Sequence, residues 1–338
     1  MSEKLKNFLQ ELFLVLGAVI GMGFASGKEI SRFFCYNKTL ALTGVFLFII
    51  LFILFFNLIT KFKKKFHITN FNLLNEKLFK NNSKYIKILL LIIYSISASC
   101  MLSGANLLIN SIFSINFSFF SIFLSIILFF IIIGGIKRIK NIFSKILPYL
   151  LILIFINLFV NLFNSLPNSS SFFSFNFSAL SVKDWGMSIL LPITFFGGNL
   201  ILAIDAILAS KSKATGYLSS AIFFVFLIMG CGVVFLLGAD SMPFLVASKN
   251  LSSQFYFLYF IAIFLALFSS LVISTHNIVA LIGSKDKLVV LIILLINQSL
   301  SFLGFDFIVN YLYTFTGLLG LIYIIFAVIR MTYLLNKK

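Results

Sequence analysis

The sequence predicts an all-α membrane protein whose ten transmembrane helices form two halves of five. Three observations predict it. Apolar runs of about 20 residues recur along the whole chain, long enough to cross a bilayer as helices. Only 10% of the 338 residues are charged, where a soluble domain averages about 25%. A polar stretch, Asn164 to Asp184, follows the fifth run and divides the chain. Five is odd, so the second half enters the membrane inverted relative to the first. The polar–apolar alternation of a β-barrel is absent.

The spans run approximately 8–34, 39–60, 85–113, 117–136, 145–166, 185–209, 214–238, 252–282, 288–304 and 307–335. Span one carries "LGAVIGMGFASG" from Leu16 to Gly27, with four of the chain's 19 glycines. Each glycine in a helix interior costs roughly 1 kcal/mol against alanine. Such a cluster predicts either an unwound segment or close helix packing through the GxxxG spacings Gly17–Gly21 and Gly23–Gly27. Lys4, Lys6 and "FASG" resemble a signal peptide. Glu11 at the start of the apolar core, and nine further spans, favour a retained first helix.

Span six, "WGMSILLPITFFGGNLILAIDAILAS", holds Pro192, Gly197 and Gly198 near its middle. A second break is expected there. Interrupted helices at matching positions of two halves are the sequence sign of a secondary transporter's binding site, and this favours unwinding over packing in span one as well.

Charge sets the orientation. With the N-terminus inside, 21 of the 26 Lys and Arg residues fall on the cytoplasmic side, so both termini are expected in the cytoplasm. The net charge of +17 lies between apolar segments, not on one soluble face, which argues against nucleic acid as a partner. The expected partners are the lipid bilayer and a small-molecule substrate. "KFKKKF" in the loop after span two suits topogenesis or contact with anionic lipid. Cys35, Cys100 and Cys231 are too scattered for a disulfide framework and read as small apolar residues. The nine acidic residues and two histidines form no cluster suited to a membrane enzyme, and no ring-forming filter segment suggests a channel.

An unwound segment at membrane depth is tolerated only where its backbone lines a cavity. Half-helix N-termini suit a carboxylate, and freed carbonyls suit an ammonium group or a small cation. Residues 12–28 contain no acid. Such a site would therefore hold a zwitterion with main-chain atoms.

"GAVIGMG" (Gly17 to Gly23) resembles the broken first helix of LeuT-fold transporters, with its Gly-x-x-x-Gly-x-Gly pattern. The longer "GMGFASGKEISRFF" is similar to the YkvI-like bacterial membrane proteins of the amino acid–polyamine–organocation superfamily. The resemblance implies a LeuT-like 5+5 inverted repeat with helices one and six broken, in a bacterial cytoplasmic membrane. It also implies a Na⁺ site: carbonyls of Gly17, Ile20 and Ala266 with hydroxyls of Ser269 and Ser270, a hard oxygen set. Ser274 and Thr275 are a rival pair, and membrane serines often bond only to their own helix. The implied substrate pocket comprises Met22 and Gly23 of span one and Met101 and Gly104 of span three. Its other wall is Thr194, Phe195, Phe196, Gly198 and Asn199 of span six, with Phe195 or Phe196 as a lid or as packing. Phe196 stands where better-studied amino-acid carriers often have a small residue. Some proton-coupled relatives carry a lysine within span five. Here Lys145 sits at its edge and 146–166 is uncharged, which favours Na⁺ over H⁺.

Ionisable residues inside spans are functional candidates, because a charge at the bilayer centre costs roughly 2.5 kcal/mol or more. Glu11 and Asp205, near the cytoplasmic ends of spans one and six, read as gates or anchors. Glu29 and Lys28 lie toward the outer end and read as solvated rim charges, with Lys28 or Arg32 in reach of Asp306. His276 reads as a packing residue or a proton carrier. The expected function is transport of a small zwitterionic solute, an amino acid, by alternating access coupled to Na⁺. The alternatives are an H⁺-coupled carrier and a receptor that keeps the fold without transport.

Overall fold

A computed structural model of the chain describes residues 3–80, 83–113, 119–134, 137–165, 180–238, 240–283 and 286–337. Most of the polar stretch 164–184, and the side chain of Lys145, lie outside the described residues.

All regular elements among the described residues are helical. The first segment is split into α1 (Glu3–Val19), α2 (Met22–Ala25) and α3 (Lys28–Phe34). There follow α4 (Ala41–Phe66), a short α5 (Phe71–Phe79), α6 (Ser83–Phe113), α7 (Phe120–Gly134) and α8 (Lys137–Ser165). The second half has α9 (Val182–Ala209), α10 (Lys213–Leu237), a short α11 (Pro243–Lys249), α12 (Ser253–Ile282) and α13 (Lys287–Ser301). It ends with α14 (Phe305–Phe307), a π-turn (Ile308–Leu312) and α15 (Tyr313–Asn336).

Seven of these helices, counting α14 to α15 as one, are long and apolar enough to cross a membrane. The chain is an all-helical, multi-pass membrane protein. The expected spans one, four and nine are the shorter apolar helices Asn7–Val19, α7 and α13. At 1.5 Å per residue, a 15-residue helix such as α7 or α13 reaches only about 22 Å, less than the roughly 30 Å hydrocarbon core. A buried polar cluster ties both to α6. Asn106 Oδ1 accepts from the Ser121 amide, Gln298 Nε2 donates to Ser121 Oγ at 2.7 Å, and Ser125 Oγ donates to Gln298 Oε1.

Span one breaks, one of the two outcomes its glycines left open. The Ile20 amide still reaches Leu16, but the Gly21 amide turns to the Val19 carbonyl, so the bond to Gly17 is lost. Gly21 is extended, with φ −93° and ψ −167°. A second corner follows at Gly27, whose φ of +83° few other residues adopt and whose missing Cβ seats the Phe244 ring. Here the Ser26 carbonyl accepts from the Phe244 amide and the Ala25 carbonyl from the Tyr259 hydroxyl at 2.8 Å.

Span six does not break. α9 is one continuous helix through Pro192, Gly197 and Gly198. Its glycines serve packing instead. A Cβ on Gly197 would overlap the Gly317 carbonyl oxygen, and one on Gly320 the Gly197 carbonyl oxygen. Small residues here let α9 and α15 touch backbone to backbone. Pro192 seats its ring against Gly44 of α4, where a Cβ would stand 2.6 Å from the ring. Proline removes one helical hydrogen bond, and packed neighbours make that tolerable in a membrane helix.

The ten apolar segments pack in a pattern that repeats when each is exchanged for the one five places along. α9 lies on α4 and α10 on α1. α15 lies on α9 and α8 on α1. α13 lies on α6 and α7 on α12. The central pairs α1–α9, α4–α10, α6–α12 and α7–α13 map onto themselves. The main contacts without a counterpart come from α2 and α3, the pieces beyond the break.

At the face bearing the chain termini, charged side chains cap helix ends. Lys63 donates to the Leu208 and Ser210 carbonyls at the end of α9, and Lys65 to the Leu335 carbonyl at the end of α15. Two of the "KFKKKF" lysines thus satisfy orphan helix carbonyls.

Candidate functional site

Helix α1 ends at Val19 beside a small, partly open cavity of about 30 Å³. Span one lines it with Gly17, Ala18, Val19, Gly21 and Glu29. α6 contributes Ser97 and Met101, and α9 contributes Asn199 and Leu202. α12 adds Ser270, Ile273 and Ser274, and α15 adds Tyr313. The break therefore faces a partly open cavity, a setting in which freed backbone groups are tolerated.

Of the substrate residues expected from the sequence, Met101 and Asn199 line this cavity. The others serve packing. Met22 fills the gap left by Gly104, whose Cβ would overlap the Met22 sulfur. Thr194 bonds to its own helix at Leu191, 2.7 Å away. Phe195 is 1% exposed and stacks among Phe33, Phe34 and Phe48, while Phe196 meets Phe48 and Phe55. Neither ring is a lid over the cavity, because each is held on several sides by other rings. Gly198 faces the backbone of Gly317. Gly23 backs the Glu29 side chain, which a Cβ at position 23 would overlap.

The implied Na⁺ ligands are only partly gathered. Gly17 and Ser270 line the cavity, and Gly21 stands close to the Ser270 hydroxyl. Ile20 and Ala266 lie in the surrounding core. Ser269 Oγ donates to the Ala266 carbonyl at 2.8 Å, so these two engage each other within α12. The rival Ser274 is in the cavity and bonds to Ser97 at 3.2 Å, and Ser97 in turn lies 3.5 Å from the Tyr313 hydroxyl. Thr275 bonds to its own helix at Leu271.

The acidic candidates separate clearly. Glu11 Oε2 accepts from the Lys211 amide at 2.9 Å and anchors the approach to α10. Asp205 Oδ1 accepts from the Phe71 amide at 2.8 Å and anchors the start of α5. His276 is half-buried on α12 and is not part of the cavity lining.

Glu29 is not the solvated rim charge its position suggests. It is 2% exposed and lines the cavity. Its Oε2 has no hydrogen-bond partner among the described residues. Counting residues along a straight helix puts Glu29 near the surface, but the breaks at Ile20–Gly21 and Ser26–Gly27 fold α3 so that this side chain points inward. Its neighbours behave otherwise. Lys28 Nζ pairs with Asp306 Oδ1 at 2.5 Å, and Asp306 Oδ2 accepts from Ser241 at 2.6 Å. Arg32 donates to the Asn310 carbonyl in the π-turn at 3.0 Å. These contacts join α3, α14, the π-turn and the segment before α11. Tyr313 and Ser97 have no sequence signal that distinguishes them from other polar residues in apolar spans. No protein-family model matches the chain, and no curated protein matches it.

Proposed function

We propose that the chain is a secondary transporter of a small zwitterionic solute, an amino acid, working by alternating access. In this reading its ten segments form a LeuT-like 5+5 repeat in a bacterial cytoplasmic membrane, with both termini inside. The observation that carries it is the break at Ile20–Gly21 opening onto a cavity that spans one, three, six, eight and ten enclose. The packing pattern that repeats five segments on supports the repeat. The continuous α9 restricts the ligand-binding backbone to span one, so Asn199, Ser270 and Tyr313 side chains take the part first expected of a broken span six.

The test is uptake of a panel of radiolabelled amino acids into proteoliposomes, under imposed Na⁺ or H⁺ gradients. Ser270→Ala, at the cavity wall, is expected to lower uptake of the accepted solute severalfold. Saturable binding without uptake of any panel member would select the receptor reading instead.

A further inference from the structure

We propose that the Glu29 carboxyl, held against Gly23 at the broken segment and facing the cavity, binds a proton that is taken up and released with the transported solute. The proton-binding part stands on the site alone; its coupling to transport rests on the transporter reading above.

Glu29 is shielded from water, and its Oε2 meets no donor among the described residues. Such a carboxyl is accommodated either with a proton or with a cation beside it. Of the cations nearest in sequence, Lys28 pairs with Asp306, and Arg32 donates one terminal N–H to the Asn310 carbonyl while its buried Nε has no hydrogen-bond partner among the described residues. The titratable groups facing Glu29 from packed elements are Cys100 of α6 and Tyr313 of α15, and neither is cationic. α10 brings Cys231, which bonds to Cys35 at the end of α3, and α14 brings Asp306, taken by Lys28. α9 presents the neutral Asn199, α4 presents phenylalanine, and α12 presents Ser270 and Ser274, with His276 off the cavity lining.

Charge balance supports the proton. A zwitterion is neutral, so its complex with ionised Glu29 would bury one net negative charge. One proton on Oε2 removes it. A metal cation needs several oxygens converging on one point. The Ser269–Ala266 pair is closed on itself, so those two oxygens are not offered to a metal cation. The step makes and breaks only the O–H bond: Oε2 takes H⁺ from water on one side of the membrane and returns it to water on the other.

The test begins with infrared spectroscopy of the purified protein in nanodiscs, titrated from acid to alkaline pH without any solute. Wild type is expected to show a protonated-carboxyl stretch that fades on alkalinisation. Glu29→Gln removes it, Glu29→Asp shifts it, and Asp306→Asn leaves it in place. A band untouched by both Glu29 variants overturns the proposal. So does a band that at fixed pH is lost on adding NaCl or putrescine, which would make Glu29 a cation site. In proteoliposomes, an inside-alkaline gradient is expected to raise wild-type uptake of the amino-acid panel severalfold. Glu29→Gln is expected to lose that gradient response while retaining exchange. A response that persists in Glu29→Gln overturns the coupling. Wild-type vesicles that take up no panel member count against the amino-acid transporter reading, while the infrared result still decides the proton site.

Discussion

The Lys28 ammonium lies 2.5 Å from Asp306 Oδ1, joining the piece of span one beyond its break to the start of the last span. Lys28 is 12% exposed and Asp306 47%, so the pair sits at a boundary between water and the interior.

A pair so hydrated contributes at most about 1 kcal/mol to stability. Asp306→Asn is therefore expected to leave thermal stability nearly unchanged while loosening the tie between α3 and α14. With Cys35, Cys100 and Cys231 replaced by alanine, a cysteine placed at Met101 should react several times faster with a membrane-impermeant maleimide in the Asp306→Asn background. Equal rates would show that the pair seals nothing.

Gly197 and Gly198 are adjacent in sequence but differ in surroundings. A Cβ on Gly197 overlaps the backbone of α15, whereas one on Gly198 rests 3.4 Å from the Gly317 Cα. Gly197→Ala should cost about 1–3 kcal/mol through overpacking. Gly198→Ala should be neutral or gain up to about 1 kcal/mol from helix propensity. Melting midpoints of the two variants in detergent would separate them. A helix unwound at this point would not discriminate between the pair.

Gly23→Ala drives a methyl group into the Glu29 carboxyl. The expected cost is about 1–3 kcal/mol, with loss of solute uptake. Shortening the acid should relieve the clash, so Gly23→Ala with Glu29→Asp is expected to be more stable than the sum of the single changes implies. A double-mutant cycle on unfolding measures that coupling. Strict additivity would mean that the two residues do not touch.

The helical membrane architecture was legible because apolar length is a coarse, robust signal. The glycines of span one left unwinding and packing open, and the matching break in span six that favoured unwinding is absent, yet span one breaks. The same glycine signal misled in span six, where closeness to Gly317 and Gly320 is the reason for Gly197, and sequence does not reveal which surface a glycine faces. Glu29 was misplaced because depth was inferred by counting along an unbroken helix. Ser269 bonds within α12, because a hydroxyl one turn from a carbonyl is readily satisfied locally. Met101, Asn199, Gly17 and Ser270 line the cavity, each on a segment whose register no break disturbs before it.

The unequal treatment of the two halves has a mechanical consequence. α9 and α15, locked spine to spine, form a stiff post that cannot flex at its midpoint. α1 is a 17-residue arm joined to α2 through Ile20 and Gly21, and Glu11 at its middle accepts from the Lys211 amide. A swing of α1 against that post would bend at Ile20 and Gly21 and would have to break the Glu11–Lys211 contact.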